Sequence, residues 1–214
     1  RVLLLITASA FCLICSVFYH LCSCSGTANI RNCTYTMDLT GILVLVSVSY
    51  FAGIGLAFRC QPGFRSFYLV YSAVACLAMA GPLIRPNLVA DVPRHFILCV
   101  CMGVVPALHF VYTSDPHDLS IVLPYMLGMF GCYGLGAVFY ITRWPESRWP
   151  GQFDLIGHSH QFWHICVVLA AISWVRGCMV MMQHRLSCEE VLHRSLAHPA
   201  ASFADLAAGA AILP

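Results

Sequence analysis

Six long stretches of this chain contain no Asp, Glu, Lys or Arg: 2–30, 39–58, 66–84, 95–114, 119–142 and 155–175. Each holds about 19 residues or more, and crossing a hydrocarbon core of about 30 Å at 1.5 Å per residue takes about 20. Inside a bilayer no water satisfies the backbone, so a spanning segment is a helix or a strand of a closed barrel. The stretches are long and continuously apolar rather than short and alternating, which selects helices. The pattern predicts an all-α membrane protein with spans near 2–22, 38–58, 66–84, 95–113, 120–142 and 158–178. Pro82, Pro106 and Pro124 fall near or within these spans, which membrane helices tolerate.

Composition closes off the soluble alternatives. Of 214 residues 60% are hydrophobic and 9% charged, with a mean hydropathy of +0.80, whereas soluble domains carry about 25% charged residues. A net charge of +2 is too small to point to nucleic acid as a partner. The eleven basic residues are all Arg, so orientation is read from Arg alone. The face reached after the first span, face Y, carries Arg31, Arg85, Arg94, Arg143 and Arg148, while the loops on the opposite face X carry Arg59 and Arg65. The positive-inside rule makes face Y cytosolic, although Arg176, Arg185 and Arg194 after the sixth span count the other way. The first stretch is too long for a signal-peptide core and reads as a span of a longer protein. Residues 1–190 read as one transmembrane domain, and the Ala-rich 191–214 as a disordered tail.

Alternating direction through the membrane brings particular polar residues to one depth. The first span ends on face Y with Ser16 and His20, the second starts there with Asp38, and the sixth starts there with His160 and His164. The last two are four residues apart, hence on one helical face about 6 Å apart along the axis. A His-x-x-x-His pair on a helix offers two nitrogens to one metal, and a third histidine from elsewhere completes a zinc site with an open position. Ionisable groups inside spans are costly and point to function. Asp38 is suited to orient a ligand or accept a proton from water, and Ser16 shares the helical face of His20. His109 lies toward face X, His158 is out of phase with His160, and His95 beside Arg94 reads as an interfacial residue. The thirteen cysteines are scattered through the spans as small packers. Cys22 and Cys24 fall on face Y as packing residues or exposed thiols, and Cys60 on face X has Cys178 and Cys188 as potential partners.

Five segments, "SVFYHLCSC", "MDLTGI", "GVVPALHFVY", "WPESRWPGQFD" and "GHSHQFWH", together resemble the progestin and adipoQ receptor family, which includes the adiponectin receptors and the bacterial haemolysin III-like proteins. The resemblance runs to about residue 190. It implies a seven-transmembrane helical bundle with one further span before Arg1, a cytosolic face Y, and Zn2+ held by His20, His160 and His164. It also implies conserved roles for Asp38 and Ser16. "CSVFYHLCSC" and "SHQFWH" are most similar to a Golgi-resident branch of the family that sequesters a Raf kinase. Two functions follow as expectations. One is a zinc amidohydrolase of ceramide-like lipids with Asp38 as general base and Ser16 beside it. The other is a non-catalytic membrane receptor or Golgi scaffold, zinc structural, that binds a lipid amide or sterol-like ligand or tethers a cytosolic kinase. Contact with membrane lipids is common to both.

Overall fold

The computed structural model describes residues 1–85 and 92–183. Among these residues seven helices run in order: α1 (Val2–Cys22), α2 (Ala28–Ala57), α3 (Pro62–Ile84), α4 (Val92–Cys101), α5 (Val104–Thr113), α6 (Pro116–Thr142) and α7 (Ser159–Gln183). Among the described residues six stretches are long and apolar enough to cross a membrane, with α4 and α5 together making the fourth. No strand occurs among the described residues. α2 begins at Ala28, well ahead of its charge-free stretch, so that its first turns extend outward on the Asp38 side.

Outward faces are apolar and open: Leu77 is 72% exposed, Leu98 69% and Val70 66%, a surface suited to lipid tails. Because lipid tails are as apolar as Leu, helix association depends on close approach through small residues. The contacts follow that rule. Leu5, Ala8 and Cys12 of α1, Leu45 and Ala52 of α2, and Cys178 of α7 form one buried cluster, which ties together the three helices carrying the predicted site residues. A side chain at Gly41 of α2 would begin 3.0 Å from the Cys12 Cα and 3.1 Å from the Cys15 Cβ. The backbones of α1 and α2 are therefore packed at the turn that sets Ser16 beside Asp38.

The fourth span departs from the single helix predicted over 95–113. α4 stops at Cys101 and α5 starts at Val104, because Pro106 has no N–H for the Met102 carbonyl. Around the break the backbone tightens to Met102 N–H bonding the Cys99 carbonyl and Gly103 N–H bonding that of Val100. Tyrosines from neighbouring helices supply further donors. The Tyr50 hydroxyl donates to the carbonyls of Cys99 and Val100, 3.0 Å each, and Tyr71 donates to that of Met102 at 3.3 Å. Any Cβ at Gly103 would fall 2.7 Å from the Tyr50 ring, so glycine there lets Tyr50 lie across the break.

Cys12, Cys15, Cys99, Cys166 and Cys178 are buried free thiols, the packing role expected of them. Cys60 is disulfide-bonded; Cys178 is excluded as its partner, and Cys188 lies outside the described residues. So does the Ala-rich segment 191–214 read above as a tail.

Candidate metal centre

His20 sits in the last turn of α1, while His160 and His164 occupy the first two turns of α7. One nitrogen from each ring lies within 4.8 Å of the other two. The Nε2 atoms of His20 and His160 are 3.1 Å apart, close to the roughly 3.3 Å that two nitrogens show across a tetrahedral zinc at bond lengths of about 2.05 Å. The rings meet edge to face rather than stacked: His20 and His164 are inclined at 88° and His160 and His164 at 86°. Their edges, where the nitrogens are, converge. His164 Nε2 is buried without a hydrogen-bond partner, an unusual condition for a polar atom that a metal ion would relieve. The donor set, the spacing and this orphaned nitrogen all fit a divalent metal.

Ser16 is buried, and its hydroxyl makes no hydrogen bond of full geometry. It nonetheless lies close enough to Asp38 to interact with the carboxylate, which is also in electrostatic reach of His20. Asp38 is half-buried, and with Ser16, His20, His160 and His164 it lines one end of a cavity of about 980 Å³. From there the cavity runs between the helices past Tyr50, Phe110 and Trp174 toward Phe58. Its walls are predominantly apolar, and its volume is at the top of the range of about 300–1,000 Å³ usual for small-molecule sites.

Of the other described histidines, His95 and His109 lie elsewhere, and His158 needs an adjustment. His95 Nε2 is 2.9 Å from the Ala78 carbonyl. His109 Nδ1 is 2.7 Å from the Tyr68 hydroxyl, with Phe58 and Phe64 packed on its ring. His158, predicted to point away from His160 by helical phase, instead stacks on it at 6.5 Å and 18° and lines the same cavity. Phase does not apply because His158 precedes the first helical residue, Ser159. Its ring is still not among the three clustered nitrogens.

Two residues on the loop side of α7 escaped the sequence reading. The Glu146 carboxylate accepts from the Ser159 N–H at 2.8 Å and from the Ser159 hydroxyl. Burial pushes this carboxyl up, but the two Ser159 hydrogen bonds and nearby His158 outweigh it and hold it below the ordinary carboxylate value. The Gln161 side chain accepts from the Gly157 N–H at 2.7 Å and donates to the Leu155 carbonyl at 3.0 Å. Glu146 lies in "WPESRWPGQFD" and Ser159 in "GHSHQFWH", so both residues stood in recognisable segments; nothing in the order of residues paired them.

Comparison with protein families matches residues 1–175 to the Haemolysin-III related family. Among curated relatives, Heptahelical transmembrane protein ADIPOR1 of Oryza sativa subsp. japonica is 36% identical, covering 84% of this chain and 49% of the relative. Progestin and adipoQ receptor family member 3 of Homo sapiens is 33% identical over 82% of this chain and 59% of its own length. Heptahelical transmembrane protein 3 of Arabidopsis thaliana is 38% identical over 76% and 48% respectively. The chain thus spans about half the length of the curated relatives it matches.

Proposed function

Starting from a chain that belongs to the Haemolysin-III related family of multi-pass membrane proteins, we propose that it is a zinc-dependent hydrolase of ceramide-like lipid amides. The observation that carries this reading is that the histidine cluster and Asp38 share the wall of a cavity of about 980 Å³. A metal serving only as a staple between α1 and α7 has no use for a large apolar chamber beside it.

In this reading His20, His160 and His164 hold the ion. Zinc, when bound, supplies Lewis acidity toward an amide carbonyl and toward water. The apolar cavity walls take up the acyl chain, so that the amide is left at the polar end. Asp38 accepts a proton as water adds to the amide carbon, then returns it to the nitrogen as the C–N bond breaks, which releases a fatty acid and an amine. Ser16 lies close enough to Asp38 to interact with the carboxylate, and in this reading its hydroxyl helps orient that group toward the water. Face Y is cytosolic in this proposal. Its support is the Arg distribution, together with the disulfide-bonded Cys60 at the opposite end of α2, since disulfides persist in oxidising compartments. We place the protein in the Golgi membrane on the likeness of its histidine-bearing segments to the Golgi-resident branch.

One observation favours the scaffold alternative. The loop between α6 and α7 exposes Trp144 and Trp149, with Leu155 87% and Ile156 82% exposed, an apolar surface on face Y suited to a cytosolic kinase partner, zinc then being structural.

The experiment is zinc content and fatty-acid release from short-chain ceramide, measured on the protein in lipid nanodiscs before and after chelation. About one zinc per chain with chelator-sensitive release is expected. Zinc without turnover overturns the hydrolase and leaves the scaffold; absence of zinc overturns both.

A further inference from the structure

The first turn of a helix has N–H groups with no intrahelical partner and frays unless something caps it. His160 is the second residue of α7, so a ligand of the metal centre stands in that turn. His164 lies one turn further in, where the backbone bonds of the helix already hold it. A ligand nitrogen must stay within a few tenths of an ångström of its bond length to zinc, and a slip of one residue rotates a helical side chain by about 100°. His160 therefore needs an external anchor and His164 does not.

Both neighbours of His160 are anchored to the preceding loop. On one side, Ser159 gives its N–H and its hydroxyl to the Glu146 carboxylate, thirteen residues earlier. On the other, Gln161 spans the Leu155 carbonyl and the Gly157 N–H. The negative charge also sits at the positive end of the α7 dipole. Resting on the zinc reading above, we propose that Glu146 is a positioning residue for the metal centre. By capping Ser159 it holds His160 against His20, and with Gln161 it makes the loop over 143–158 a clamp on the ligand-bearing turn.

The test uses Glu146→Ala, Glu146→Gln, Ser159→Ala and the Glu146→Ala/Ser159→Ala double variant, all full chain in nanodiscs. Metal affinity is measured with Zn2+, and coordination by the visible spectrum of the Co2+-loaded protein. Glu146→Ala is expected to weaken zinc by about 10- to 100-fold and to shift the Co2+ spectrum. Glu146→Gln is expected to restore most of both, because the amide oxygen still accepts from the Ser159 N–H while the amide nitrogen donates to the hydroxyl, which turns to accept. The double variant is expected to be no worse than Glu146→Ala alone, since both act through one contact. In metal-free protein, amide hydrogen exchange at 159–160 is expected to quicken about fivefold in Glu146→Ala and not in Glu146→Gln.

A parent that binds zinc while Glu146→Ala binds it equally well with an unchanged Co2+ spectrum overturns the positioning role. Glu146→Gln behaving like Glu146→Ala assigns the effect to charge rather than to the Ser159 contact, and also overturns it. A parent that binds no metal overturns the zinc reading and the ligand-positioning role with it, and is told apart by failing before any substitution is made.

Discussion

Asp38 and Ser16 separate chemistry from structure at the level of single side chains. Asp38→Asn keeps the shape and one oxygen but removes the proton acceptor. Zinc should stay bound while ceramide hydrolysis falls by about 10² to 10⁴; unchanged turnover at full zinc content would remove Asp38 as the base. Ser16→Ala tests the neighbour. Its hydroxyl is buried without a full hydrogen bond, so its loss strands no partner and stability should change by less than about 1 kcal/mol, read as thermal unfolding in nanodiscs. Turnover should nevertheless drop, because the Asp38 carboxylate loses the nearby dipole that interacts with it. Glu146 carries a pH dependence whose sign is set by its lowered value. A carboxylate depressed in the folded state contributes stability that is complete above its ordinary value of about 4.3 and fades as pH falls through the lower folded value. Protection of the start of α7 in metal-free protein, taken relative to the intrinsic exchange rate at each pH, should therefore be insensitive to this group between pH 6 and 8, roughly two units or more above that value, and fall only in acid.

At the level of helices, two contacts decide geometry that propensity leaves open. Tyr50 supplies a donor to the carbonyls of Cys99 and Val100 where the fourth span breaks. Its replacement by Phe removes that added donor while the carbonyls keep their bonds from Met102 and Gly103, at a cost of about 0.5–1.5 kcal/mol, and the thermal midpoint should fall accordingly. Gly41 lets α1 and α2 touch through backbone atoms. Gly41→Val has no flexible side-chain end to displace, so overpacking should cost about 1–3 kcal/mol. It should also weaken zinc by moving His20 away from α7. A variant equally stable and equally tight for metal would mean that the α1–α2 spacing does not set the centre.

For the whole molecule, the histidine cluster joins the first described helix to the last: His20 and His160 are 140 residues apart in sequence. An ion binding only the folded bundle stabilises it by about 2.7 kcal/mol at a hundredfold excess over its Kd. Zinc should thus raise the unfolding temperature of the parent in a concentration-dependent way, and chelation should reverse it. In His164→Ala the shift should vanish. A shift that persists without His164 would place the stabilising metal elsewhere.

Span number and helical character were legible in the sequence because lipid imposes a local rule: about 20 uncharged residues must bond their own backbone. Opposite directions of successive spans then brought His20, His160 and His164 to one depth, and depth with helical phase was enough to group them. Three features needed the tertiary structure. The break in the fourth span follows from Pro106, but its tolerance depends on tyrosines from α2 and α3. His158 turned toward His160 because it lies just outside the helix, where phase has no force. Glu146 became visible only once its carboxylate was seen on Ser159. Each is a contact between segments distant in sequence, or an orientation outside regular structure, and neither leaves a periodic trace in the order of residues. The cavity is the extreme case, since its shape belongs to the space left between helices and to no one of them.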